Sequence, residues 1–230
     1  MSKRRAGTGA APRGPDGSRR AASPVGGRKS ARSLATASAR SAAPGEVRII
    51  GGRWKRTPLA VPDRPGLRPT GDRVRGTLFN WLTHLLGDFG ALRGLDLFSG
   101  SGALGLELAS RGAASVTLVE RDPALARQLA ATVARLGGTG VELICAEALA
   151  WAARQPAAGF DLVFLDPPFA AGLQAEALAA ARRLAVPDGL VYLEGPEPLG
   201  AGAAATAGYE LVRAATAGRV AFHLLRPTGA

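Results

Sequence analysis

The residues Asp166-Pro167-Pro168-Phe169 close the run Phe160-Asp-Leu-Val-Phe-Leu165 and bring together a carboxylate, a stiff backbone and an aromatic ring. Consecutive prolines fix φ and supply no N–H, so their carbonyls can face a ligand from a rigid backbone. The run from Leu162 to Leu165 is continuously apolar and ends at a breaker, which reads as a strand buried on both faces. Asp166 then lies at the end of a parallel strand, where open α/β sheets bind their ligands. A carboxylate, a proline carbonyl and the Phe169 ring together suit a flat base that carries an amino group. Asp-Pro alone reads as a strand and a turn; the four residues together favour a site.

A second constellation precedes it. Gly100-Ser-Gly102-Ala-Leu-Gly105 matches the G-x-G-x-x-G pattern, in which glycines let the backbone turn from strand to helix and approach a ligand closely. Glu120 ends the next apolar run and is placed to accept hydrogen bonds from ribose hydroxyls. On these features alone a nicotinamide dehydrogenase and a methyltransferase fit equally. Asp96, four residues before Gly100, separates them, because a carboxylate there suits a cationic amino-acid moiety rather than a pyrophosphate. A dehydrogenase also has no use for Asp-Pro-Pro-Phe. Phe98, Arg121 and Glu147 complete the candidate donor set. Glu147 could receive an adenine amino group, or simply interact with the start of a helix.

These groups need a frame, and residues 93–226 alternate strand and helix signals as a parallel sheet does. Strands are expected at Gly94–Phe98, Ser115–Val119, Val141–Cys145, Phe160–Leu165 and Gly189–Glu194. A C-terminal hairpin should turn at Ala217-Gly218, between Tyr209–Ala214 and Arg219–Arg226. Helices are expected from about Ala103 to Arg111, from a cap at Asp122 to about Leu136, around Ala148–Arg154 and from Leu173 to Leu184. Upstream, Val74, Leu78, Trp81, Leu82 and Leu85 share a helical face after an N-cap at Thr70. Val47-Arg-Ile-Ile50 and Thr57-Pro-Leu-Ala-Val61 read as a hairpin carrying Arg48, Arg53, Trp54, Lys55 and Arg56. Basic side chains around an aromatic suit single-stranded RNA, and Arg68, Arg73 and Arg75 extend that basic set. The expectation is an α/β chain in three parts: a disordered basic tail over 1–45, a hairpin and loop over 46–69, and a helix with a Rossmann-like domain over 70–230.

Composition is consistent with this. A chain of 230 residues, 47% hydrophobic, can bury a full core. No apolar run approaches membrane-spanning length, so a soluble cytoplasmic protein is expected. One cysteine excludes an intramolecular disulfide, and with two histidines makes zinc binding unexpected. Cys145 reads as core, and His84 and His223 as structural residues. The net charge of +11 is uneven. Residues 1–45 hold ten Lys/Arg and one acid, residues 46–75 eight and three, and residues 76–230 eleven and fourteen. That polarity points to a polyanion met from the N-terminal side. With seven Gly and four Pro, segment 1–45 cannot offset its ordering entropy; auxiliary RNA contact, an inert tail and a transit peptide all remain open for it.

Four motifs occur in one order: Arg48-Ile-Ile-Gly-Gly-Arg-Trp, Leu67-Arg-Pro-Thr-Gly-Asp-Arg-Val-Arg-Gly-Thr-Leu-Phe-Asn-Trp-Leu82, Asp96-Leu-Phe-Ser-Gly-Ser-Gly-Ala-Leu-Gly-Leu-Glu107 and Asp166-Pro-Pro-Phe169. Together they resemble the bacterial RsmD family, which methylates guanine N2 in 16S ribosomal RNA. The resemblance covers about residues 46–226. It implies a class I S-adenosylmethionine-dependent methyltransferase fold, with a mostly parallel seven-stranded sheet and an antiparallel C-terminal hairpin. It also implies S-adenosyl-L-methionine as donor and 16S rRNA, within an assembling 30S particle, as substrate; a monomer is expected. Gly76 departs from the family pattern, where an acid often follows Val-Arg, and the basic tail is longer than the family requires. The Asp-Pro-Pro-Phe motif equally serves an adenine-N6 methyltransferase on RNA or DNA. A catalytically idle RNA-binding assembly factor is the third reading, opposed by the intact glycine loop with Asp96, Glu120 and Asp166.

Overall fold

The computed structural model describes residues 46–61 and 71–229, within a unit that spans Ser41–Ala230. Segment 1–45, Arg68 and the expected cap Thr70 lie outside the described residues. A two-stranded antiparallel ribbon, β1 (Glu46–Arg48) with β2 (Pro58–Ala60), precedes helix α1 (Asp72–Leu86), whose N-cap is Gly71. The main sheet follows as β3 (Arg93–Asp96), α2 (Ala103–Ser110), β4 (Ser115–Glu120), α3 (Pro123–Arg135), β5 (Val141–Cys145), α4 (Ala148–Ala152) and β6 (Phe160–Leu165). After a short 3-10 turn at Phe169–Ala171 come α5 (Gln174–Leu184), β7 (Ala185–Gly195), α6 (Ala201–Thr206), β8 (Tyr209–Ala217) and β9 (Val220–Pro227). Strand order is β5-β4-β3-β6-β7-β9-β8, parallel as far as β7 and antiparallel in the last two pairs.

The central strands β3, β6, β7 and β9 are buried on both faces over most of their length, whereas the edge strands β5 and β8 are largely uncovered. Along β6, Leu162 and Phe164 enter one core layer while Val163 and Leu165 enter the other. The first layer lies under α1, α2 and the N-terminal ribbon, and the second under α4, α5 and α6. Helix α1 docks through aromatic contacts: Phe79 lies 6.1 Å from Phe164, and Trp81 stacks on Phe222 at 5.3 Å. Phe79 is fully buried although it falls outside the expected apolar face, and Trp81 and Leu85 are only partly covered.

Two expectations fail, for different reasons. Cys145 is exposed rather than core, because β5 is the edge strand and ends at the open rim of the sheet. Helix α6 was not expected, since its Ala-Gly-Ala-Ala-Ala-Thr run has no side-chain cap and little apolar periodicity. His223 is structural, as expected. It is buried and neutral, burial holding its pKa below the ordinary histidine value, and Nε2 accepts the Leu199 N–H at 2.8 Å. Among the described residues no helix is long and apolar enough to cross a membrane.

Candidate active site

The carboxyl ends of the parallel strands open into one cleft of about 1300 Å³. Register explains which side chains meet there. Asp96 pairs with Leu118 on β4 and Phe164 on β6, so Glu120 and Asp166 each follow two residues further along neighbouring strands. Leu165 pairs with Leu193, and the next residues on those strands are Asp166 and Glu194. Asp96, Phe98, Gly100, Glu120, Arg121, Glu147 and the whole of Asp166–Phe169 line this cleft. It therefore gathers the candidate catalytic motif and all of the candidate donor set except Gly102, which is not among the lining residues, on one strand edge.

The glycine loop is shaped by hydrogen bonds to two of the acids. Gly100 N–H donates to Glu120 Oε2 at 2.8 Å, and Gly105 N–H to Asp96 Oδ2 at 2.9 Å. Gly100 and Gly102 adopt φ 52° and 77°, the left-handed region in which a side chain is disfavoured. Gly105 is needed for a different reason: a Cβ there would lie 2.2 Å from Leu118 Cδ2, so α2 could not sit this close to β4. Glu120 Oε1 accepts the Asp122 N–H at 2.8 Å, so both oxygens of this carboxylate shape the loop. Glu147 caps α4, accepting from Leu149 N–H at 3.1 Å and Ala150 N–H at 2.6 Å, and lines the cleft as well.

The cleft floor is strongly acidic, and its acids are buried. Asp96, Glu120 and Glu194 are 1%, 8% and 3% exposed. Burial pushes the Asp96 carboxyl up to about 7, opposed by the Gly105 N–H and reinforced by the neighbouring Glu120 and Glu194 charges. Glu194 escaped the sequence reading; an acid closing a buried strand, the signal that marks Glu120, would have found it. Its Oε1 accepts from the buried Tyr192 hydroxyl at 2.8 Å, and burial beside that charge raises the tyrosine pKa well above the ordinary value. At the other end Phe169 is the one large apolar side chain classed as exposed among the described residues, at 37%.

The expected basic surface is only partly where sequence put it. Arg48, Arg53, Lys55, Arg56 and Arg73 are exposed, and Arg73 lines the cleft. Two residues require correction. Trp54 is 8% exposed, its indole packed in the core with the Arg53 guanidinium 4.2 Å above the ring, so it offers no face to a base. Arg75 is fully buried: it donates to Arg48 O at 2.7 Å and Asp72 Oδ1 at 2.5 Å, and lies 3.6 Å from the buried Glu107. A buried guanidinium needs such partners, and these tie α1 to the ribbon and α2 instead of to RNA.

Relatives carry the same framework. The family described as "Conserved hypothetical protein 95" matches residues 47–226. "Ribosomal RNA small subunit methyltransferase D" of Escherichia coli (strain K12) is 42% identical over 182 residues, 78% of this chain and 89% of that protein. The protein of the same name from Haemophilus influenzae is 43% identical over 157 residues, 66% and 80% of the two chains. The solved structure "Putative methyltransferase yhhF from Escherichia coli" superposes with a TM-score of 0.68 at 39% identity, over 81% of this chain and all of that one. The sheet order and the strand-end cleft are accordingly those of a class I methyltransferase fold. With the family match spanning 47–226 and a relative this similar over most of its length, the chain belongs to the RsmD family.

Proposed function

We propose that the protein is an S-adenosylmethionine-dependent methyltransferase that modifies the exocyclic N2 amine of a guanine in small-subunit ribosomal RNA. The observation that carries this reading is the single cleft with an acidic, glycine-looped half and Asp166-Pro-Pro-Phe169 beside it. The donor half suits S-adenosylmethionine on chemical grounds, since its ammonium and sulfonium complement the buried carboxylates of Asp96 and Glu120. Glu120 would hold the ribose, the Gly100–Gly102 backbone would receive the amino-acid end with Asp96 behind it, and Glu147 would take the adenine amino group. The donor supplies a methyl group already activated by positively charged sulfur.

What remains for the protein is to position a poor nucleophile. The guanine N2 lone pair is delocalised into the ring. The Asp166 carboxylate and a proline carbonyl accept its two N–H bonds and turn the nitrogen toward the methyl group. Phe169 stacks on the base after it leaves its own stack. Asp166 then takes the proton that the methylated amine releases and passes it to solvent at the open cleft. Catalysis is mainly orientation plus local electrostatics. The substrate is 16S RNA in an assembling 30S particle, met by a cytoplasmic monomer, with Arg48, Arg53, Lys55, Arg56 and Arg73 as phosphate contacts.

Asp166→Ala tests the catalytic assignment. The variant should fold, bind donor and RNA nearly as the wild type does, and transfer methyl at least ~10²-fold more slowly. Single-turnover kinetics on 30S particles measure this. A fully active variant removes the mechanism.

A further inference from the structure

Arg219 lines the same cleft from the far side of the sheet, and nothing in the chemistry above uses it. It occupies the two-residue turn Gly218-Arg219, between the paired Ala217 and Val220. Gly218 adopts φ 62°, the left-handed first position that such tight hairpins require. Register fixes where this turn lies: Glu194 pairs with Phe222 and Gly195 with Ala221, so the turn stands at the cleft edge beside the end of β7. Strand order then sets β9 and β8 beyond β6, on the opposite side of Asp166 from β3, β4 and the glycine loop. Arg219 thus belongs to the acceptor half, as does Arg73 from the first turn of α1.

The charge pattern around it is informative. The cleft floor is acidic, exposed Glu197 lines it too, and residues 76–230 carry more acids than bases, so a polyanion would be repelled unless cations met it at the rim. Several other arginines are engaged: Arg93, Arg111 and Arg226 are ion-paired, and Arg182 and Arg183 bond backbone carbonyls, whereas Arg121, on the β4 side of the cleft, makes no such bond among the described residues. Arg213, also on β8, donates to Val212 O. Among the described residues, Arg73 and Arg219 make no ion pair or side-chain hydrogen bond. Their planar donor forks are left for an oxyanion, and a guanidinium matches phosphate in a bidentate way.

We propose that Arg219, together with Arg73, grips the backbone phosphate of the target nucleotide at the acceptor end of the cleft, an inference that rests on the RNA-modifying reading above. Gripping the phosphate fixes the flipped nucleotide while Asp166 and Phe169 handle its base. The test measures full-length wild type, Arg219→Ala, Arg219→Lys and the control Arg213→Ala for affinity to deproteinised 16S rRNA across a salt series. Affinity for S-adenosylhomocysteine is measured in parallel. Arg219→Ala should bind RNA about tenfold more weakly. Its log–log salt slope should be shallower by roughly 0.7–0.9, the value of one lost phosphate contact. Arg219→Lys should keep the slope and lose part of the affinity, while Arg213→Ala stays within about twofold of wild type. All four should bind S-adenosylhomocysteine equally. RNA affinity unchanged in Arg219→Ala, an equal loss in Arg213→Ala, or a loss of S-adenosylhomocysteine binding would each overturn the proposal. The readout is RNA affinity and not methyl transfer, so a wild type that forms no N2-methylguanosine would sink the proposed reaction without altering this result.

Discussion

Asp96 is the residue whose environment makes the sharpest statement about the donor. Its carboxyl is raised from the ordinary 3.8 to about 7, mainly by burial. A carboxyl raised by folding favours the fold while protonated. Its contribution to stability is therefore complete below about pH 4 and is lost as pH rises through about 7. Affinity for a cationic donor runs the other way, because only the ionised carboxylate attracts it. Donor Kd measured by calorimetry should worsen about tenfold per unit as pH falls below 7 and level off above it. Asp96→Asn should flatten that profile, and a flat wild-type profile would contradict the assignment. At this scale the sequence was readable where an acid or a glycine ended a strand, as at Asp96, Glu120 and Asp166. It misled at Trp54 and Arg75, because a basic or aromatic side chain looks the same on paper whether it faces RNA or a buried partner. Arg75 is held by Asp72, three positions away, and by Arg48 O and Glu107, twenty-seven and thirty-two positions away, and no local spacing announces the last two.

Among elements, the ribbon and the glycine-loop helix are fastened by one carboxylate. Glu107 on α2 is fully buried and accepts from Ile50 N–H at 2.6 Å, Gly51 N–H at 2.8 Å and Arg111 Nε at 2.8 Å, with Arg75 alongside. Ser110 adds two more bonds, donating to Gly51 O at 2.6 Å and accepting from Trp54 N–H at 2.9 Å. This is why the ribbon strands are only three residues each: the segment between them bonds to α2 more than to itself. Glu107→Ala would leave the Ile50 and Gly51 N–H donors without their acceptor and remove one of the two carboxylates that face the buried Arg75. It should lower unfolding stability by about 3–5 kcal/mol, read from the shift in denaturant midpoint. A loss under about 1 kcal/mol would show that the ribbon is held by its apolar contacts alone. The order of strands and helices was legible because both-face burial leaves unbroken apolar runs between breakers. The ribbon's attachment was not, since it depends on side chains from three separate elements. Cys145 fails similarly, because edge position belongs to the sheet and not to the strand.

For the whole molecule, charge divides the chain: residues 1–45 carry ten basic residues and one acid, whereas the part after Arg75 is mildly acidic. Deleting 1–45 should leave donor binding and melting temperature unchanged while weakening RNA binding and flattening its salt dependence. An unchanged salt slope would show that the segment takes no part in binding RNA. The central claim is the reaction itself, and nucleoside mass spectrometry of ribosomal RNA tests it most directly. RNA from a strain lacking this protein should be compared with RNA from the same strain after restoring the wild type or Asp166→Ala. N2-methylguanosine in 16S RNA should fall on deletion, return with the wild type, and stay low with Asp166→Ala. An N6-methyladenosine that follows the gene instead, or a nucleoside profile that deletion leaves unchanged, would contradict the account.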